Sequence, residues 1–449
     1  MEISLYTIPF SVNGTYFLYN SLSNALIEVD APCYNIFENK MVGDIKTLTQ
    51  ETELFDVLVN HQFLTPNRED QYLSYVAAIR QIRSISDKFH LTIAPTMNCP
   101  FRCPYCFEVN KQKGSMSQEI QDGIVAYLKT LPRSPDFHLT WFGGEPLMAM
   151  DIINQLYDKI ERGYKAPYKS NMITTGYCMD DTVIETLKRI NCTELQITLD
   201  GLPKTHNKIK RSKLVEDPFT DTLNGIKRLL EVGGFQISIR VNVTKTNSSE
   251  FMPLLSLLIQ ELGFSSNWSY SPGLVLSRGI LEKRANDLIP VEEAISFAFD
   301  TFAKDGYKCS WTDYPSNLIN ECAVRNPLSL TLDPEGYMYK CWETIGLREW
   351  AFGRISAYGK IEEFTPSVLN RFLYGADHLS NSSCVKCSVH PICHGGCPYN
   401  WILNTFKGEN RNVCSPYKTS IKDILKHHIK KSEEARVFSS EEKLTSTTH

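Results

Sequence analysis

Residues 90–106, HLTIAPTMNCPFRCPYC, run from a strand-like apolar segment straight into three cysteines at CxxxCxxC spacing. The strand candidate His90–Pro95 is followed by five more, Phe137–Phe142, Asn171–Thr174, Glu194–Leu199, Gln236–Val243 and Asn267–Ser271. Between them lie helical patterns at Gln118–Leu131, Ile152–Arg162, Asp181–Arg189, Thr220–Glu231 and Phe251–Leu262. Strands and helices alternating at this length predict a parallel sheet, open or curved toward a barrel. Such sheets place their ligand sites at the carboxyl ends of the strands. Cys99, Cys103 and Cys106 directly follow the first strand, and Gly143-Gly144-Glu145-Pro146 directly follows the second. Both segments sit where a parallel fold does its chemistry.

Working outward, residues 1–87 open with strand patterns at Ile3–Phe10, Tyr16–Asn20 and Ala25–Asp30, the first two joined near Asn13-Gly14. Helical patterns follow at Tyr34–Asn39 and Glu53–Asn60. This reads either as a small α+β cap or as a winged-helix-like module whose edge strand pairs with a peptide. Residues 88–305 form the alternating domain, and 306–420 are turn-rich and hold eight cysteines, seven of them from Cys322 to Cys414. A segment of that kind gains from metal ligation the stability that a core would otherwise supply. Residues 421–449 complete a helix, expected over Thr419–Lys430, and end in a charged tail expected to be disordered.

A chain of 449 residues, 42% of them hydrophobic, can bury a large core, and the net charge of −4 points to neither nucleic acid nor a membrane surface. No stretch reaches the ~20 apolar residues of a membrane span, and MEISLYTIPFSVNG lacks signal-peptide character. The expectation is a cytoplasmic protein. In a reducing compartment, fourteen cysteines in two groups argue for metal rather than disulfides. Cys33, Cys178, Cys192 and Cys309 stand apart and read as small buried hydrophobes.

Three thiolates at CxxxCxxC spacing can hold three corners of a [4Fe–4S] cluster and leave one iron open. The alternative is a zinc site completed by a distant ligand. With the GGEP turn after the next strand, the triplet resembles the radical S-adenosylmethionine (SAM) superfamily over roughly residues 88–420. The resemblance implies a partial (β/α)6 parallel barrel. It also implies SAM chelated to the open iron and reductively cleaved to a 5′-deoxyadenosyl radical that abstracts a hydrogen atom, with electrons from a donor such as flavodoxin or ferredoxin. Cofactor-binding positions carried over are Tyr105 near the adenine, Gly143, Gly144, Glu145 and Pro146 at the methionyl amine, and Thr175 where relatives often have Asn. Thr198 and Arg240 match ribose- and carboxylate-contacting positions on later strands. Gly143 and Gly144 are expected to let the backbone approach the cofactor.

Cys322, Cys341, Cys384, Cys387, Cys393, Cys397 and Cys414 are similar to the SPASM domain, which holds two auxiliary [4Fe–4S] clusters in radical enzymes acting mainly on peptides and proteins. By position, Cys384, Cys387, Cys393 and Cys414 would bind the outer cluster, and Cys322, Cys341 and Cys397 the inner one. Ser316 stands where fully ligated relatives have a further cysteine. Either Cys309 replaces it or the inner cluster keeps an open iron where a substrate thiolate could bind. Zinc knuckles are the alternative. His390 and His394 read as hydrogen-bonding or solvent-facing, and Trp342 as packing that shields a cluster.

The implied function is a peptide maturase that installs a thioether or carbon–carbon crosslink in a precursor peptide. The runner-up is a formylglycine-forming sulfatase-maturating enzyme, with a cofactor-peptide maturase also open. From another class comes a zinc-bearing adaptor that only binds peptides.

Overall fold

The computed structural model describes residues 1–41, 45–48, 52–85, 89–108, 113–131, 137–164, 168–277, 287–316 and 322–445. Near the N-terminus, β1 (Glu2–Ile3), β2 (Thr7–Val12), β3 (Thr15–Asn20) and β4 (Ala25–Val29) precede short helices at Ala31–Glu38, Ile45–Leu48 and Thr52–Asn60. Strands β2, β3 and β4 form an antiparallel sheet in that order. Val12 pairs with Thr15 across a two-residue turn. Asn13 and Gly14 both take positive φ, 51° and 85°, as the tight turn of a right-twisted hairpin requires. The single strand expected over Ile3–Phe10 is broken in two. β1 leaves to pair with β5 (Leu64–Thr65). Leu18, Val29, Ile36, Phe37, Leu58 and Phe63 give this α+β module a core of its own.

The six strands expected in the alternating region form, as β6 (Phe89–Ile93), β7 (Phe137–Trp141), β8 (Tyr168–Thr174), β9 (Cys192–Thr198), β10 (Gln236–Val243) and β11 (Trp268–Leu274). They are parallel neighbours in chain order, the arrangement of a partial barrel. Some of the helices between them begin at side-chain caps. Ser117 accepts from Ile120 N at 3.3 Å and Asp180 from Val183 N at 2.8 Å, meeting donors that a helix start leaves open. Along β7, Phe137, Leu139 and Trp141 are buried while His138 and Thr140 are half-buried. One face therefore packs under helices, and the other faces the hollow that the catalytic chemistry needs.

The turn-rich region is less separate than its composition suggests. β12 (Ser329–Leu332) lies parallel to β6, and β13 (Tyr337–Tyr339), β14 (Gly353–Ile355) and β15 (Ile361–Glu362) continue antiparallel, making one sheet of ten strands. Cys341 is thereby carried to the edge of the barrel. Several helices depart from expectation. Arg68–Ile85 is an unforeseen helix, because its only apolar stripe, Tyr75, Val76 and Ile79, is narrow and packs on Leu379. The C-terminal helix runs Tyr417–Thr445, into the stretch read as disordered. Ile421 and Leu425 on it pack with Ile8, Phe10 and Tyr19 of the N-terminal sheet and with Val389 and Ile392.

Candidate active site

The loop after β6 presents Cys99, Cys103 and Cys106 half-buried. Burial, with Glu145 adding to it, pushes the Cys99 thiol up to about 12. Burial likewise raises Cys103, while nearby Lys210 opposes it. Thiols this costly to ionise become thiolates only against a strong cation, which fits metal ligation. Cys106 Sγ also accepts from Glu108 N at 3.4 Å, a second-sphere contact of the kind that tunes iron–sulfur centres. Among the described residues, no three Cys, His, Asp or Glu side chains close on a point where a single ion would sit. A four-iron cluster holds its thiolates farther apart than a zinc ion does, with Zn–S at ~2.3 Å.

The GGEP turn docks on the residues that lead into the triplet. Gly144 N donates to Thr96 O at 3.0 Å and Glu145 N to Asn98 O at 2.8 Å. A Cβ on Gly144 would overlap Asn98 O, and one on Gly143 would overlap Thr96 O. These glycines admit the chain's own Thr96–Asn98 segment. Gly144→Ala is expected to cost about 2–4 kcal/mol and to lower both the thermal midpoint and the iron retained by the triplet. Unchanged values in both would contradict this packing role.

Glu145 has partners within the chain. It is 1% exposed, and its carboxylate accepts from Thr174 Oγ1, from Thr175 N and Oγ1 at 2.8 and 2.7 Å, and from Leu147 N at 3.1 Å. It is a clamp between the ends of β7 and β8. Thr175, expected near the ribose, spends its hydroxyl on that clamp. Pro146 opens the short 3-10 turn that follows.

Tyr105 lines a cavity of about 630 Å³ together with Cys106, Thr198, Arg240, Cys322 and Cys341. Its hydroxyl donates to Asp200 and accepts from Asn242 Nδ2 at 3.1 Å. Lys210 Nζ lies 3.4 Å from Asp200 Oδ2, and both side chains are almost wholly buried. Burial and Asp200 keep the Tyr105 phenol protonated. Asp200, Lys210 and Asn242 were not singled out in the sequence. Asp200-Gly201 at the end of β9 was the available signal, whereas Lys210 lies on an unforeseen helix, Pro203–Lys210. Thr198 and Arg240 are paired neighbours on β9 and β10, and Arg240 Nε donates to Asn242 Oδ1 at 3.3 Å. Phe107, Phe142 and Trp342 stack along one wall, with ring centroids 6.3 and 4.9 Å apart.

The downstream cysteines gather in two sets. Burial drives the Cys341 thiol well up, with Glu343, Cys397 and Cys322 adding. At Cys384, burial and then Cys393, Cys387 and Cys414 push the thiol up to about 11. Cys309 joins neither set through the contacts described. It is a core thiol 7% exposed, with Sγ 3.6 Å from Thr312 Oγ1. Cys309→Ala is expected to cost about 1 kcal/mol of stability and leave iron content unchanged; a loss of iron would restore it as a ligand. Cys33 and Cys192 are buried as expected, but Cys178 is exposed. His390 Nε2 lies 2.6 Å from His378 Nδ1, both buried, so His390 is a hydrogen-bonding residue. His394 is buried too.

Fold and site define an iron–sulfur enzyme working at the open ends of parallel strands. The family model of the radical SAM superfamily matches residues 93–258. A serine-type anaerobic sulfatase-maturating enzyme of Klebsiella aerogenes is 30% identical over 75% of this chain and 85% of its own length. The PqqA peptide cyclase of Gluconobacter oxydans (strain 621H) is 20% identical over 74% of this chain and 93% of its own. The crystal structure of Streptococcus suis SuiB bound to S-adenosylmethionine shares the fold with TM-score 0.54 and 17% identity, over 92% of this chain and 100% of that one. The chain belongs to the radical SAM superfamily and is an iron–sulfur enzyme that uses S-adenosylmethionine. Among the described residues no helix is long and apolar enough to cross a membrane.

Proposed function

We propose that this enzyme is a peptide maturase that abstracts a hydrogen from a precursor peptide and installs a thioether or carbon–carbon crosslink. The observation that carries the reading is the single cavity of about 630 Å³ lined both by Cys106 of the triplet and by Cys322 and Cys341. A peptide side chain in that cavity would stand between the radical source and the inner cysteine set. When bound, the cluster and S-adenosylmethionine supply a carbon radical able to take that hydrogen. The chain's own part is to hold the cofactor with Thr198, Arg240 and the face of Tyr105, and to shut out water with Phe107, Phe142 and Trp342.

The triplet would bind one [4Fe–4S] cluster, and the two downstream sets two more. Cys384, Cys387, Cys393 and Cys414 provide four thiolates, and Cys322, Cys341 and Cys397 provide three. Because Cys309 is held in the core, the inner centre would keep an iron free for a substrate thiolate. An external electron donor such as flavodoxin or ferredoxin would reduce the triplet cluster, and the protein would work in the cytoplasm. Residues 1–87 would grip the leader of the precursor by strand addition at the β4 edge, which among the described residues pairs only with β3. A leader held there raises the effective concentration of the core peptide.

The name of the Gluconobacter relative, a peptide cyclase, supports a peptide substrate. The Klebsiella relative keeps formylglycine formation as the second reading. The fold likeness to the crystal structure of Streptococcus suis SuiB bound to precursor peptide SuiA spans 92% of the chain, against 77% for anSMEcpe with bound AdoMet, and this supports a precursor peptide. Mass spectrometry of a neighbouring short reading frame's peptide, co-expressed with this chain, decides between them. Loss of two hydrogens, with fragments that locate a bridge between two residues and no carbonyl reactive toward a hydrazide, supports a crosslink. A hydrazide-reactive aldehyde at a single residue overturns it; serine oxidised to formylglycine gives one with the same loss of two hydrogens, and cysteine with a different mass shift. Anaerobic purification is expected to give about eight to twelve irons per chain and 5′-deoxyadenosine on reduction with S-adenosylmethionine. A colourless zinc protein would instead be an adaptor. Amide exchange over Ala25–Val29 is expected to slow when the precursor is added; unchanged exchange there would remove the leader-binding role.

A further inference from the structure

Arg325 closes a 3-10 turn, Ala323–Arg325, that starts at Cys322, and its N–H donates to Cys322 O at 3.0 Å. The residue is 2% exposed. Its guanidinium reaches away from the inner set, with Nη1 donating to His394 O at 2.8 Å and Nη2 to Ala376 O at 3.1 Å. His394 belongs to the turn between Cys393 of the outer set and Cys397 of the inner set. One buried cation is therefore tied by its backbone to one cysteine set and by its side chain to the turn joining both.

These two hydrogen bonds go to neutral carbonyls and orient the guanidinium. A buried cation favours negative charge nearby. The outer set is close at hand, because His394, whose carbonyl accepts from Nη1, directly follows Cys393 in the chain. The turn itself leaves no slack. A Cβ on Gly395 would overlap His378 and come within 3.5 Å of Arg325 Nη2. The guanidinium fork is rigid and planar, suited to fixing two carbonyls at once.

We propose that Arg325 is a positioning residue shared by the two auxiliary centres, its fork fixing the Cys393–Cys397 turn and its buried charge raising the reduction potential of the outer centre. This rests on reading the two cysteine sets as iron–sulfur centres. Reduction adds an electron to a group already negative, and a fixed cation beside it stabilises the reduced form more than the oxidised one. Hydrogen bonding and nearby charge are the means by which a protein tunes such a centre.

The test is an EPR-monitored redox titration of the anaerobically reconstituted full chain, with iron analysis, for wild type, Arg325→Gln and Arg325→Lys. The outer signal is assigned by its loss in Cys384→Ala. In Arg325→Gln the reduced-to-oxidised ratio at fixed potential is expected to fall about tenfold, a 59 mV shift for one electron. Arg325→Lys should recover most of that shift, and the triplet signal should stay in place. Iron kept by Arg325→Lys but lost by Arg325→Gln also supports a need for the charge. An unmoved potential in Arg325→Gln, an equal shift in both variants, or iron loss in both would overturn the proposal. Zinc in place of auxiliary iron in the wild type would overturn the iron–sulfur reading itself, an outcome separate from anything the variants report.

Discussion

Cys103→Ala is expected to abolish reductive cleavage of S-adenosylmethionine, a loss well beyond the ~10–100-fold typical of changes that leave a metal's ligands intact. Its thiol is desolvated and faces Lys210, whose ammonium is held by Asp200. Without that thiolate the cluster would lose one of its three corners. Iron should fall by about four per chain, while the auxiliary iron stays, because Cys322 and the cysteines beyond it are held by separate turns. The measurement is iron content together with 5′-deoxyadenosine formed on reduction. Cleavage continuing near the wild-type rate would mean that the triplet is not the radical source.

Gly396→Ala is expected to do the reverse, emptying the auxiliary centres and sparing the triplet. Gly396 has φ 67°, and a Cβ there would overlap Val413 O. Cys397 N donates to that same carbonyl at 3.1 Å, so the chain segments carrying Cys397 and Cys414 cross at this point. Backbone cannot step aside as a flexible side chain can. The expected cost is about 3–5 kcal/mol, with about half or more of the iron lost and some S-adenosylmethionine cleavage retained but uncoupled from peptide modification. Gly408→Ala is the control. It has a similar φ of 70°, yet a Cβ there meets nothing within 4 Å, so its cost should be only about 1–2 kcal/mol of backbone strain. Equal iron loss in the two variants would refute the crossing as the cause.

Much of the site was legible because its information is local. Cys99, Cys103 and Cys106 need only their spacing to be recognised, and Gly143-Gly144-Glu145-Pro146 needs only to follow a strand. The six strands could be read from periodicity, since each must bury one face under helices. Asn13-Gly14 announced its hairpin because few residue pairs accept positive φ twice in succession.

The rest depended on which segments meet. That Thr174 and Thr175 hold the Glu145 carboxylate could not be read from the GGEP motif. Lys210 carried no signal of its own, lying on a short polar helix whose burial arises only when it closes against Cys103 and Asp200. Cys309 and Cys322 are both single cysteines in an irregular region, and only their surroundings separate a core thiol from a member of the inner set. By itself, the sequence determined the class of chemistry, because ligand type and spacing along the chain are local properties. The tertiary structure decided that β12 joins the barrel and that Cys106, Cys322 and Cys341 share one cavity. Those depend on contacts between segments more than two hundred residues apart, which no local pattern encodes.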